Sequence, residues 1–551
     1  MLALLTQRSL ILISLAFLAL PLFSQNKYIE VNGGVTATTI LYSSNGIESR
    51  RDPFSYILTG HVNISSFGAS LPFSFTISNR NSKFRQPFNQ FGLSPKYKWI
   101  TLHFGYRNIK FDPLVMSGHQ VLGVGIELTP GIFRFGAIYG RFKKTINIAH
   151  SVNEPNIDSL QQYSRKGYAV KIGVGSKTSF VDFVFLKVSD DTLSLKNHNA
   201  KNTIPPSANM VIGINTNIQF SKKIIFKLNS AYSIYTTNLN SMPIENSLTP
   251  LTAILPPINI STENYYAIKS SITYKPIKQV SLSLKYRRIA PGYKSMGAYF
   301  MQNDAENITI NTAISIWKNK IRIGGSIGNE RNNLKNTRST TTRRWIGSAI
   351  LNFNPTKYFG LTANYSNFSL NQQGDAMQIA DSVKIYQTNS QFSFIPRYII
   401  FGKKTNHIIM LMFNSSQLND KNPYTYEFTE FHLTNYMFNY NINFLSSGLG
   451  FTSNYTYSII DMSMAKNNTK TIAFGVSKNL LKNKLSIRYN QMITFTNNNG
   501  IEQTIIRPVV SISYKPGKHH NIKFHFIFNN SSSDARKYSE TTADLSYHFS
   551  F

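Results

Sequence analysis

Asp544 and His548 stand four residues apart in a stretch near the carboxyl end where polar and apolar residues alternate. In an extended strand successive side chains point to opposite faces, so this carboxylate and imidazole share one face. With a serine or a water as nucleophile, such a pair is hydrolase machinery. His103 and His525 occupy comparable alternating stretches and face the same way. The fuller signatures of catalysis are missing: the chain has no His-Glu-x-x-His, no Gly-x-Ser-x-Gly and no glycine-rich loop running into Lys and Ser or Thr. His519 and His520 follow Pro516-Gly517 in a turn, where imidazoles are solvated more often than they bind metal. The residues therefore point away from an enzyme and call for no metal or cofactor.

The second chemistry is electrostatic. Lys285 and Arg287 interleave with Leu282, Leu284 and Tyr286, and Arg488, Arg507 and Lys523 each stand between apolar or aromatic residues or beside proline. The same period places Arg107, Arg134, Lys171, Lys227, Lys269 and Arg322 on the polar face of their segments. Only Glu127, Asp182 and Asp544 oppose them there. If the polar faces line one enclosed space, that space is electropositive and admits anions in preference to cations.

Short alternating segments must be the elements that position these residues. After Phe23 no run of about eighteen apolar residues occurs, which excludes an ordinary transmembrane helix. Yet 42% of the chain is hydrophobic and 13% aromatic. In hydrocarbon every backbone polar group needs an internal partner, so segments of this kind span only as a closed barrel. The expected fold is all-β: one large antiparallel transmembrane β-barrel of about 24 strands, within a range of 22 to 26.

Tight basic turns divide the segments into hairpins, as at Lys318-Asn319-Lys320, Lys482-Asn483-Lys484, Lys515-Pro516-Gly517-Lys518, Lys275-Pro276, Asn354-Pro355, Gly402-Lys403 and Ser221-Lys222. The longer connections are Thr145–Arg165, Ser189–Ser207, Leu239–Thr262, Pro291–Asp304 and Asn371–Asp381; the proline-rich third one reads first as an ordinary surface loop and alternatively has the composition to fold over or into the pore. Roughly twenty-two strands fit between Lys96 and the terminus. Before Lys96 there are three candidates, Lys27–Ser43, Phe54–Ser65 and Ser70–Asn79. An even total then requires Phe54–Asn79 to act as one bulged strand, or one candidate to lie inside the barrel. This puts Arg80–Pro95 on the short-turn side, where it reads first as a plain loop and alternatively as a small internal constriction or partner-docking segment.

The last residues resemble the carboxy-terminal strand of Gram-negative outer-membrane β-barrels: Leu545, Tyr547, Phe549 and Phe551 alternate with Asp544, Ser546, His548 and Ser550 and end on an aromatic. The resemblance implies a barrel inserted in the outer membrane by the barrel-assembly machinery. It covers only these residues and implies no activity. Arg8 followed by the apolar run Ser9–Phe23, with Ser24 and Gln25 after it, reads as a signal peptide over residues 1–24, leaving 25–551 as the barrel. Zero cysteines exclude both a disulfide framework and a lipidated cysteine. The Asn-, Lys- and Tyr-rich composition resembles barrels of Bacteroidota.

Of the net charge of +33, much lies in turns and loops that can meet outer-membrane lipid and lipopolysaccharide phosphates, and nothing here points to nucleic acid. A channel or transporter passing anionic or polar solutes is the leading expectation. The alternative is a structural or accessory subunit of an outer-membrane secretion or surface-attachment complex. Chain alternation begins by Tyr28, which leaves no room for an amino-terminal plug domain.

Overall fold

The computed structural model describes residues 29–79, 90–145, 162–195, 204–244, 255–298, 303–337, 340–374, 386–420, 422, 425–534 and 536–551. The expected signal peptide lies outside them, as do 80–89, 146–161, 196–203, 245–254 and 375–385 of the long connections.

Alternation and turn chemistry act locally, so each segment pairs with the next one in the chain. Antiparallel strands follow one another from Ile29–Asn45 to Lys537–Ser550, and the last pairs with the first from Gly34 opposite Ser550 to Asn45 opposite Ser539. Closure leaves no free edge, which is what a barrel wall in hydrocarbon requires. Gln90–Leu93 and Lys96–Tyr97 share both neighbours, Ala69–Ser78 and Ile100–Asn108, and form one strand interrupted at Ser94-Pro95. The count is then 26, the top of the expected range.

The expected single bulged strand at Phe54–Asn79 is two strands, Phe54–Ser66 and Ala69–Ser78. Phe67-Gly68 joins them with φ of 48° and 79°, the left-handed pair that a tight hairpin needs and that Gly68 makes easy. The even total is restored by the interrupted strand around Pro95. Ala69–Ser78 therefore ends, and Gln90–Leu93 begins, at the end opposite the tight basic turns and not on the expected short-turn side. Those basic turns all fall at one end. Two of them use the same device: Trp317-Lys318-Asn319 and Leu481-Lys482-Asn483 are left-handed throughout, closed by Lys320 N donating to Trp317 O (3.1 Å) and Lys484 N to Leu481 O (3.1 Å).

Directly opposed residues of an antiparallel pair share a face, so register carries each face round the barrel. Leu545 and Tyr547 stand opposite Phe524 and Ile522, and this apolar face continues through Ile512, Ile487, Phe451, Ile310 and Leu284. It is the outer surface, with Leu545 half exposed and no protein against it. On the inner face five glycines, Gly92, Gly105, Gly123, Gly140 and Gly167, stand in one cross-strand row. A Cβ at Gly123 would collide with the Tyr139 carbonyl of the next strand, so the sheet bends here more closely than side chains allow.

Outer and inner faces predict different costs for one substitution. In a lipid-embedded barrel, Ile310→Arg on the outer face lowers unfolding free energy by about 2–4 kcal/mol, and Asn311→Arg on the inner face by far less. Denaturant titration in bicelles measures both; equal losses would refute the face assignment.

Candidate functional site

Two connections turn inward instead of leaving the barrel. One joins Ile100–Asn108 to Gln120–Leu128 and the other joins Val280–Ile289 to Ala305–Ile316. They meet as a short parallel pairing of Met116–Ser117 with Gly297–Ala298. Connections that leave the wall so many strands apart can touch only across the lumen. Pro291–Asp304, expected as an outer loop, is thus in part an internal element.

The reason is hydrophobic. Phe111, Leu114, Val115 and Met116 are at most 2% exposed and pack with Tyr293 and Met296 onto inward Ile138, Ala169, Val184, Leu186, Val211, Ala231 and Ile289. Each large side chain so buried contributes about 1.5–3 kcal/mol. The wall is dry because its inner positions are small or aliphatic, unlike the polar set expected of a lumen.

Asp112 fixes the shape of the first connection. Its Oδ1 accepts from the Leu114 N (2.6 Å) and Val115 N (3.0 Å), and its Oδ2 accepts from Asn229 Nδ2 (2.7 Å). Asn215 Nδ2 donates to Phe111 O (2.8 Å), Tyr293 Oη to Leu114 O (3.0 Å) and Ser295 Oγ to Val115 O (2.5 Å). Burial lifts the Asp112 carboxyl above its ordinary range, against the pull of those donors and of the Lys269 charge. His119, 3% exposed, donates from Nε2 to Phe142 O at 2.7 Å. Burial holds its pKa down at about 4, so it is neutral near pH 7.

Register places all eleven basic residues singled out above on the inner face, since each is out of phase with the outward apolar residues of its strand. Lys269 stands opposite Asn229 and Arg287, Lys227 and Lys285 both stand opposite Ser271, and Arg322 stands opposite Ser315. Arg488 is opposite Ser511, Arg507 opposite Met492 and Lys523 opposite Ser546. Arg107, Arg134 and Lys171 oppose Val121, Gly173 and Gly136. Three have an acidic partner. Arg134 holds Asp182 through Nε and Nη2 (2.7 and 2.9 Å), Lys171 holds Glu127 (3.3 Å) with Phe111 under its ammonium (4.9 Å), and Arg287 holds Glu330 (2.8 Å), which Arg344 also grips. Arg107 donates to Ser74 Oγ (3.1 Å). Among the described residues Lys227, Lys285, Arg322, Arg488, Arg507 and Lys523 have no acidic partner, and inward Arg397 joins them. Most of these lie close to the short-turn ends of their strands.

Away from the inward connections the mid-strand lining carries hydrogen-bonding side chains, with Arg397, Arg488, Arg507 and Lys523 on the same strands. One rung crosses seven strands through Asn364, Ser393, Asn414, Asn435, Ser458, Thr469 and Thr496. Asn364 Nδ2 donates to Ser393 Oγ (3.1 Å), and Ser458 Oγ to Asn435 Oδ1 (3.3 Å).

The Asp544–His548 pair expected at the terminus is not formed: His548 Nδ1 hydrogen-bonds Thr36 Oγ1 (2.8 Å), and Asp544 Oδ2 instead lies 3.7 Å from His525 Nδ1. A serine–imidazole–carboxylate chain occurs elsewhere, Ser94 Oγ to His103 Nδ1 (3.0 Å) and Nε2 to Glu127 Oε1 (3.2 Å). Lys171 takes the second Glu127 oxygen, which draws charge from the imidazole, and the chain ties the Pro95 interruption to its neighbours. Sequence reasoning missed Asp112, Asn215, Asn229 and Glu330. The available signal was the stretch Val181–Val188, where both alternating faces are apolar, the mark of a strand covered on each side.

No protein-family model matches this sequence, and no curated protein does. Its backbone resembles Pseudomonas aeruginosa OccK2 (OpdF) in complex with glucuronate at 9% identity, covering 95% of this chain and 98% of that one with a TM-score of 0.30. It also resembles the P pilus usher (PapC) translocation pore (12% identity, 94% and 99% covered, TM-score 0.37) and the FrpB iron transporter from Neisseria meningitidis (9%, 94% and 81%, 0.38). At these scores none bears on what this chain does.

Asp112→Ala leaves two amides and Asn229 without their acceptor, a loss of about 1–3 kcal/mol in holding the connection. Hydrogen exchange at Phe111–Met116 accelerates accordingly, and unchanged protection would count against the carboxylate as anchor. For His119 the lowered pKa means its contribution is present above 6.5 and lost as pH falls toward about 4. Acidification across that window therefore loosens the connection, and His119→Gln, which keeps a donor for Phe142 O, flattens the pH response of the same exchange rates.

Proposed function

We propose that this chain is an outer-membrane channel for anionic or polar solutes, with the solute path against the polar arc opposite the inward connections. The division of the interior carries this reading: a dry, braced arc on one side and, on the other, a hydrogen-bonding wall whose basic residues have no acidic partner among the described residues. A barrel of 26 strands is wide enough to leave an aqueous path beside its internal elements. The acid-free cations near the short-turn end give that path a positive mouth, which concentrates anions and repels cations. Export by residues 1–24 and recognition of the outward Leu545, Tyr547, Phe549 and Phe551 by the barrel-assembly machinery belong to the same proposal. Outer-membrane placement is supported by the closed wall with its apolar exterior.

Planar-bilayer recording tests it. Wild-type protein gives conductance steps, and its reversal potential in a salt gradient favours anions. Arg322→Gln, Arg488→Gln and Lys523→Gln together lower the anion-to-cation permeability ratio by about two- to tenfold while conductance persists. Absence of conductance would sink the channel reading; an unaltered ratio would sink the role of the cations.

A further inference from the structure

We propose that the outer wall binds the phosphate of a membrane-lipid headgroup at Arg331 and Arg343. The inference rests on the membrane placement above and not on conduction. Arg288 stands opposite Glu306, Glu306 opposite Arg331, and Arg331 opposite Arg343, so one rung carries these four charges across four strands. They share the outward face with Leu284, Ile308, Ile327 and Trp345.

Glu306 is already saturated. It accepts from Tyr286 Oη (2.7 Å), Arg288 Nη1 (3.0 Å) and Arg331 Nε (2.6 Å). Three guanidiniums against one carboxylate leave a net charge of +2 (3 − 1) on the rung. Arg343 is exposed and, among the described residues, has no hydrogen-bond or ion-pair partner. Like charges directly opposed across a ladder repel, so Arg331 facing Arg343 is an arrangement that a bound anion would relieve.

Position selects the anion. The rung lies toward the long-connection ends of its strands, and immediately below it the outer surface is apolar, with Ile308, Ile327 and Trp345 52%, 57% and 61% exposed. A ligand with a phosphate above and acyl chains below matches that order. Guanidinium forks bind phosphate oxygens in pairs, and the indole of Trp345 suits the interface between headgroup and chain.

The test is lipid titration of the detergent-purified barrel, followed by native mass spectrometry. The probes are a diphosphorylated glucosamine-based lipid, phosphatidylcholine as a zwitterionic lipid, and inorganic phosphate as competitor. Wild-type protein retains the diphosphorylated lipid in preference to phosphatidylcholine, and R331Q/R343Q lowers its affinity about tenfold or more. The charge-matched K166Q/K470Q, outward cations elsewhere on the wall, keeps wild-type affinity. R343Q alone, which removes no described contact, preserves the test if the double variant does not fold, and it lowers affinity in the same direction. Equal affinity in wild type and R343Q, equal retention of phosphatidylcholine, or displacement by inorganic phosphate at the lipid's own concentration each overturns the proposal. Conductance is not read, so failure of the channel proposal leaves this result intact.

Discussion

An antiparallel sheet can close on itself only when its first and last strands run in opposite directions, and every feature of this molecule follows from meeting that condition. At the seam, Ile29–Asn45 and Lys537–Ser550 pair over most of their length, and their inward side chains lace the join. Thr36 binds His548, Thr38 Oγ1 meets Ser546 Oγ at 3.0 Å, and Tyr42 donates to Glu540 at 2.6 Å. With no unpaired edge, the backbone needs nothing from outside, and the outer face is free to be aliphatic and aromatic. The parity of strands then decides which connections lie at which end.

The interior departs from the simple rule that a barrel's inner face is wet. Around the inward connections it behaves as a small globular core, with side chains packed to exclusion of water and polar atoms matched through Asp112, Asn215, Asn229 and Ser295. Elsewhere it is hydrophilic. Charge follows this division in part: beside the dry arc Arg134, Lys171 and Arg287 are held by Asp182, Glu127 and Glu330, because an unpaired charge beside an apolar core is costly, whereas Lys227 and Lys285 on strands of the same arc have no acidic partner among the described residues. Facing water, Arg322, Arg488 and Lys523 need no partner.

Much of the wall was legible because period 2 and turn chemistry are local properties. Lys318-Asn319 and Lys482-Asn483 mark their turns by residue type alone, and the strands from Ile100 onward follow. The strand near Pro95 was not legible, since two short pieces separated by proline show no alternation of useful length. Nor was the inward course of Phe111–Met116: its apolar character is plain, but where it packs depends on strands far along the chain. The Arg287–Glu330 pair joins residues 43 apart and exists only through register. The partners of the inward histidines were not legible for a related reason, because His103 meets Ser94, a serine that sequence spacing could not bring to it.

The pairing of Met116–Ser117 with Gly297–Ala298 gives the cylinder a strut along a chord. Strands on the strutted side are held both by ladder bonds to their neighbours and by a crossbar to the far side, so they resist flattening. From Thr340 through the terminus and round to the first strands, the described wall has only its ladders. Ovalisation of the cross-section under lateral pressure is therefore concentrated in that unbraced arc, against which the proposed solute path runs, and lateral tension would alter the width of such a path more than the shape of the strut.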